Sequence, residues 1–267
     1  MQDQYAGGIG DFMKIGLLRW LVAPSPFAPK ARLGVVWYRV ADESEHADPE
    51  RMAYLDPSSD AGRELRPLDP DLYDRLRSVG TAESPSIESL AACGALPRST
   101  RYFDRILDLA GLGPADIGER TVRRERWFHE AMVTTDSCSL VFLDPDDGLP
   151  HDESLADGAD GTAKHAYVSE MGRLLARGQS VVVHHPVDPS EPALDQAVAL
   201  MTEIHDELGV EPVAAIRVSE SPARLFLVIP HNDRHRSELD DRLGALQLSN
   251  WADVLRMYRW HRTRAYA

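Results

Sequence analysis

Residues Leu140–Leu149 read LVFLDPDDGL, four apolar residues running into three acids, a proline and a glycine. A short apolar run bounded by turn formers reads as a buried strand. The acidic segment after the run has two readings. Asp, Pro and Gly favour a turn on their own account, but a strand end is also the simplest rigid place to hold carboxylates at the rim of a sheet, where ligands bind.

Downstream, a helical pattern covers Lys164–Gly178, SVVVHHP (Ser180–Pro186) reads as a strand, and Ala193–Gly209 as a helix. VAAIRVS (Val213–Ser219) and RLFLVIP (Arg224–Pro230), separated by ESPA, read as a terminal antiparallel pair. Upstream, Asp11–Ala23 spaces Phe12, Met13, Ile15, Leu17, Leu18 and Leu21 as the buried face of a helix, with Asp11 placed as its N-cap after AGGIG. LGVVWYRV (Leu33–Val40) is a second buried strand. Residues at about 55–98 read as a helical insertion, in which Asp69 caps a helix opening at Pro70 and Ser84 or Ser86 caps the next. STRYFDRIL (Ser99–Leu107) reads as a strand with polar residues at its edge, RERWFHEAMVTT (Arg124–Thr135) as a helix, and the tail Leu243–Ala267 as a final outer helix with Trp251, Tyr258 and Trp260 at helical spacing. Alternating strands and helices predict one α/β domain, a mostly parallel sheet with helices on both faces.

In such a sheet the ligand sits outside the carboxyl ends of the strands. The residues to watch are therefore Asp42 and Glu43 after the first strand, Asp144, Asp146 and Asp147 after the middle one, and His184 and His185 at the end of the next. Three strands deliver ionisable groups to one edge, and that recurrence favours a site over a chance turn.

Composition limits the partners. A formal net charge of -14 argues against a nucleic-acid backbone. The densest basic stretch, RTVRRERW (Arg120–Trp127), reads as a solvated helix face. Cys93 and Cys138 form no CxxC or Cys/His spacing and read as buried thiols. No apolar run is long enough to cross a bilayer and no basic segment leads an apolar one at the N-terminus, so the expectation is a cytoplasmic protein. A second protein subunit or a homo-oligomer stays open.

The segments YAGGIGDFMKIGLLRWL (Tyr5–Leu21) and LVFLDPDDGL together resemble, in order and spacing, the bacterial adenine-N6 methyltransferases that modify large-subunit ribosomal RNA. That family opens with an aromatic-x-Ala-Gly segment leading into an Asp-x-x-Lys helix and carries Asp-Pro-Pro-Tyr at a strand end. The chain is also similar to uncharacterised proteins with GDIGDFxKxxLLR and FLDPDxGL patterns. The resemblance implies a class I methyltransferase-like (Rossmann-like) fold, with Lys14 near the cofactor and Asp144 accepting a hydrogen bond from an amine. Three departures point away from methyl transfer. The loop after the first strand, VADESEHADPE, has no glycine to admit S-adenosylmethionine. Asp146 and Asp147 replace the Pro-Tyr that would stack on a flipped base, and the overall charge is strongly negative.

Clustered carboxylates raise one another's pKa, which suits general acid/base work near neutrality. The expectation is an enzyme with a degenerate S-adenosylmethionine site and an anionic pocket. Asp144, Asp146, Asp147 and His184 would be catalytic, and Asp11, Lys14, His185 and Glu43 would bind a small amine-bearing metabolite during cyclisation, elimination or hydrolysis. Glycines before the first helix could cradle an anion, while Asp11 and Lys14, three apart on one helix, could equally form a surface ion pair. No cofactor is required by this reading. S-adenosylmethionine-dependent N-methylation is the alternative, magnesium on the D-x-D-D carboxylates a third possibility, and a non-catalytic subunit of a complex a fourth.

Overall fold

The computed structural model describes residues 3, 6–24, 30–40, 49–82, 85–109, 111–113, 115–150, 162–218 and 223–260. Seven strands form one sheet: β1 (Leu33–Trp37), β2 (Arg101–Phe103), β3 (Leu140–Asp144), β4 (Ser180–Pro186), β5 (Ala214–Val218), β6 (Arg224–Ile229) and β7 (Leu255–Arg259), in the order β2-β1-β3-β4-β6-β5-β7. β1 pairs in parallel with β2 and β3, and β3 with β4. β6 runs antiparallel to both β4 and β5, so β5 points the same way as the first four. The architecture is Rossmann-like, with the expected antiparallel pair arranged so that its second strand, not its first, docks on β4.

Side chains alternate across each strand and so supply both faces. Leu33, Val35, Trp37, Leu140, Phe142 and Val182 face one apolar core. It is closed by α1 (Ile9–Val22), by helices between β1 and β2, and by α9 (Asp233–Gln247). The helices after β1 are α2 (Pro49–Met52), α3 (Asp60–Leu65), α4 (Pro70–Gly80) and α5 (Ile87–Ala92), where the insertion was expected. Asp69 caps α4 by accepting from Leu72 N–H at 3.0 Å with Pro70 behind it, and Ser86 caps α5. On the other face Val36, Val141, Leu143, Val181 and Val183 pack beneath α6 (Ile117–Thr134), α7 (Val168–Ala176) and α8 (Ala193–Leu208). No helix among the described residues is long and apolar enough to cross a membrane.

The tail departs from the expected helix. α9 ends at Gln247, Ser249 caps a short turn over Asn250–Asp253, and the chain then extends as β7, antiparallel to β5. The edge of β5 would otherwise leave a row of backbone donors and acceptors unpaired, a demand that outweighs the helical spacing of three aromatics. Trp251 does enter the core, at 1% exposure and stacked on Phe12 at 5.5 Å, whereas Tyr258 and Trp260 pack against the opposite core. The basic stretch on α6 is also not wholly solvated. Arg124 is buried and pairs with buried Glu170 at 2.9 Å, and Glu170 accepts from Tyr38 Oη at 2.8 Å.

Candidate functional site

After β1 the chain goes to β2 on one side, and after β3 it goes to β4 on the other. The order of winding therefore reverses between β1 and β3, the position at which sheets of this kind bind ligands at their carboxyl ends. Trp37 is in register with Asp144 across that boundary. Asp144 shares the face of Leu140 and Phe142, the face covered by α1, and so meets the helix that carries Lys14.

Lys14 Nζ lies 2.6 Å from Asp144 Oδ2 and 3.1 Å from Asp11 Oδ1. All three groups are buried, so the Asp11–Lys14 pair is part of an interior ion triad rather than the surface pair that the spacing allowed. Burial alone would raise the Asp144 carboxyl, but the Lys14 ammonium and its hydrogen bond outweigh it and hold the carboxyl below its ordinary value. Burial likewise pulls Lys14 down, and the two carboxylates more than restore it. This corrects one expectation: Asp144 is a fixed anion, not a base tuned towards neutrality by its neighbours.

Asp11 is not the N-cap of α1. That position is Gly8, and Asp11 sits in the first turn, where Oδ2 accepts the Gly7 N–H at 2.9 Å. The glycine segment thus spends a donor on its own helix, and Tyr54 Oη closes on Gly7 O at 2.8 Å. Gly7 therefore offers no free N–H to the expected anion cradle.

His184 and His185 separate, because successive strand residues point to opposite faces. His184 lies on the Asp144 side with its ring 5.6 Å from that of Phe226. Its Nδ1 meets Pro145 O at 2.8 Å and lies 3.9 Å from Asp144 Oδ1. A carbonyl only accepts, so Nδ1 carries the proton. Burial, only partly countered by Asp144, lowers the imidazole pKa to about 4, so at neutral pH the ring is uncharged and Nε2 is a bare acceptor. Nε2 is buried and meets no hydrogen-bond partner among the described residues.

His185 belongs to the other face. Its Nδ1 accepts the Leu149 N–H at 3.1 Å, beneath the turn in LVFLDPDDGL. Gly148 occupies φ +73°, and a Cβ there would stand 2.4 Å from His185 Nδ1. The turn residues are therefore a built corner seated on a histidine, and His185 does not join Asp144. Asp147 is exposed and Asp146 half-buried, and among the described residues no cluster of three or more His, Cys, Asp or Glu side chains could hold a metal ion. The D-x-D-D carboxylates do not converge. Asp42 and Glu43 lie outside the described residues.

Arg224 is a site residue that strand-end reasoning passed over. It opens β6, paired with Pro186, and its guanidinium carbon lies 3.0 Å from where a Cβ on Gly10 would stand. Its charge also bears on His184. An antiparallel strand brings its first residue, not its last, to the carboxyl edge of a parallel sheet, and the terminal pair in the sequence carries that signal. With Lys14 paired to Asp11 and Asp144, and Arg224 near Gly10 and His184, the described part of the site is balanced in charge rather than anionic. Below it, Trp37, Tyr102, Leu90, Leu96 and Phe142 line an apolar crevice of about 10 Å³. That is room for one water at most, so this crevice beneath α1 has no space for a larger ligand.

No family model and no curated protein matches the chain. Among solved structures it is similar to the crystal structure of protein LPL1258 from Legionella pneumophila str. Philadelphia 1, assigned to the family model DUF519. The alignment covers 97% of this chain and 99% of that one at 12% identity, with a TM-score of 0.46.

Proposed function

We propose that the protein is an enzyme acting on the amino group of a small molecule held over the carboxyl ends of β3 and β4. One observation carries the reading: at neighbouring strand ends a buried acceptor with no donor among the described residues, His184 Nε2, stands beside the ionised carboxylate of Asp144. His184 Nε2 is unpartnered there, while Asp144 Oδ2 accepts from Lys14 Nζ at 2.6 Å and Oδ1 lies 3.9 Å from His184 Nδ1. A buried acceptor left without a donor costs free energy, and an N–H group of a substrate supplies what His184 Nε2 lacks. The balanced charge favours a neutral amine over an ammonium ion.

In this reading Asp144 orients the nitrogen and strengthens its lone pair as a permanently ionised acceptor, while the neutral imidazole of His184 takes the departing proton. Lys14 and Asp11 are positioning residues that keep Asp144 charged. The chemistry is addition from nitrogen, as in a cyclisation, or proton removal in an elimination. A second reading has one specific observation behind it. The reversal of winding between β1 and β3 is where a Rossmann-like sheet accepts a nucleotide-type cofactor, so S-adenosylmethionine-dependent transfer of a methyl group to the same nitrogen fits the same two acceptors.

The experiment is a thermal-shift screen of small primary and secondary amines, beside calorimetric titration with S-adenosylmethionine, on the parent, Asp144→Asn and His184→Phe. The expected result is stabilisation of the parent by one amine class that both variants lose. Stabilisation that survives in Asp144→Asn, or no amine response in the parent, refutes the proposal. Micromolar binding of S-adenosylmethionine moves the reaction to N-methylation.

A further inference from the structure

At the opposite end of the sheet, where β3 and β4 begin, lies a cavity of about 220 Å³ lined by Lys30, Ser180, Arg234, His235, Glu238 and Arg242 among others. It lies roughly 13 Å from the Asp144 site, four residues back along β4 at the strand rise. We infer that this cavity is a second binding site, for a phosphate dianion, either free or as a small phosphomonoester.

Charge is the first reason. Three cations face one carboxylate in the cavity lining, and that carboxylate, Glu238, is engaged with Arg234 Nε at 3.0 Å. In a chain of net charge -14 a cavity with excess positive charge is a local reversal. Arg242 is 5% exposed, with Nε donating to Ala23 O at 3.2 Å. Burial pulls its guanidinium below the ordinary value, a cost that an anion in the cavity relieves.

A proton chain fixes the donors. Asn232 Oδ1 accepts His235 N–H at 2.9 Å, which orients the amide so that Nδ2 donates to His231 Nε2 at 2.7 Å. His231 then carries its proton on Nδ1, 3.4 Å from Ser180 Oγ, and the His231 backbone N–H reaches the same oxygen at 3.2 Å. The hydroxyl, accepting on that side, donates to His235 Nδ1 at 3.0 Å. His235 keeps its own proton on Nε2 as a donor, and His231, Ser180 and Asn232 hold it in that tautomer. Size admits a phosphate or a small monoester: at about 220 Å³ the cavity is roughly fifteen to twenty times the ~10–15 Å³ that one water needs, yet below the ~300 Å³ at which pockets for larger organic ligands begin.

The test is calorimetric titration with inorganic phosphate, and separately with glycerol phosphate, against chloride at matched ionic strength. Saturable binding by the parent is expected at about millimolar concentration. Lys30→Gln together with Arg234→Gln should weaken it by about tenfold or more, and Glu238→Gln, which removes the opposing carboxylate, should tighten it several-fold. Melting curves in chloride verify that each variant folds, and Lys30→Gln alone, at an exposed position, serves if the double variant does not. A gain of affinity in Glu238→Gln is not something general destabilisation can produce. Equal affinity for both probes identifies the phosphate group as the whole ligand, and tighter glycerol phosphate assigns the site to a monoester. No saturation up to ~10 mM, or affinities unmoved by all variants, overturns the inference.

Discussion

Replacing Lys14 by methionine removes the ammonium that lies between two buried carboxylates, and its consequences can be followed in sign as well as size. Asp11 and Asp144 are about 3% exposed each, and Lys14 approaches them at 3.1 and 2.6 Å. Breaking a buried ion pair by deleting one partner costs ~3–5 kcal/mol, because the remaining charge keeps its desolvation penalty without the attraction. Two carboxylates are stranded here, so the loss at pH 7 belongs in the upper part of that range. In the parent, the Asp144 pKa is depressed, so its stabilisation is present above the ordinary carboxylate value and is lost only as pH falls through the depressed one. Between pH 7 and 5 this group leaves the parent's stability flat. The pKa of Lys14 is raised, so its contribution is lost only at alkaline pH. In Lys14→Met the effect of burial acts unopposed by the lysine and lifts the Asp144 carboxyl. Protonation on acidification then relieves the variant, by up to ~1.4 kcal/mol per pH unit for each group that titrates. Lys14 also contributes to keeping His184 deprotonated, so its removal lets the imidazole charge more readily and works in the same direction. Urea unfolding of parent and variant at pH 7 and pH 5 measures the difference. The deficit should shrink on acidification by roughly 1–2 kcal/mol. A deficit below about 1 kcal/mol at pH 7, or one that grows at pH 5, refutes the buried triad.

Gly148→Ala places a Cβ against His185 and forces a φ of +73° on a residue that resists it, so a loss of roughly 2–4 kcal/mol in chemical denaturation is expected, and a neutral substitution would show that the corner relaxes. Arg124→Met strands Glu170, to which Tyr38 and the Tyr167 backbone N–H also donate, and should cost ~3–5 kcal/mol, measurable by the same method. The depressed pKa of His184, about 4, makes the folded state lose stability as pH falls from the unfolded value of about 6.5 towards 4. His184→Phe should therefore lose less stability than the parent between pH 7 and pH 4.5, and equal acid sensitivity in the two would contradict a buried neutral imidazole.

Much of the fold was legible because its determinants are local. Apolar runs such as LVFL and VVV have one stable use in a chain of this kind, and the Asp69-Pro70 and Ser86 caps lie within three residues of the amides they bind. β7 was not legible for the opposite reason. Nothing in LRMYR demands a strand until the open edge of β5 is placed beside it, and that edge is a property of the assembled sheet.

The site divides along the same line. Position along the sheet comes from sequence order alone, which is why Asp144 and His184 could be assigned to one edge from the residues after each strand. Protonation does not, because it depends on what crosses from other elements. A cluster of acids suggests mutual repulsion and a raised pKa, but the nearest charge to Asp144 is Lys14, which precedes it by 130 residues and reaches it from α1 across the face of the sheet. Asp146 and Asp147, its neighbours in sequence, belong to a turn seated on His185, and their proximity in the chain says nothing about proximity of charge. The chemistry changes accordingly. A carboxylate with a raised pKa would remove protons. In the proposed reaction, one locked as an anion by a lysine, beside an uncharged imidazole with a bare nitrogen, would accept hydrogen bonds at the carboxylate and leave proton transfer to the ring. That division of labour is why the amine screen must include His184→Phe as well as Asp144→Asn. On that proposal, losing the carboxylate would abolish orientation and therefore binding, whereas losing the imidazole nitrogen would remove both the second acceptor and the proposed proton acceptor on the Asp144 face of the sheet.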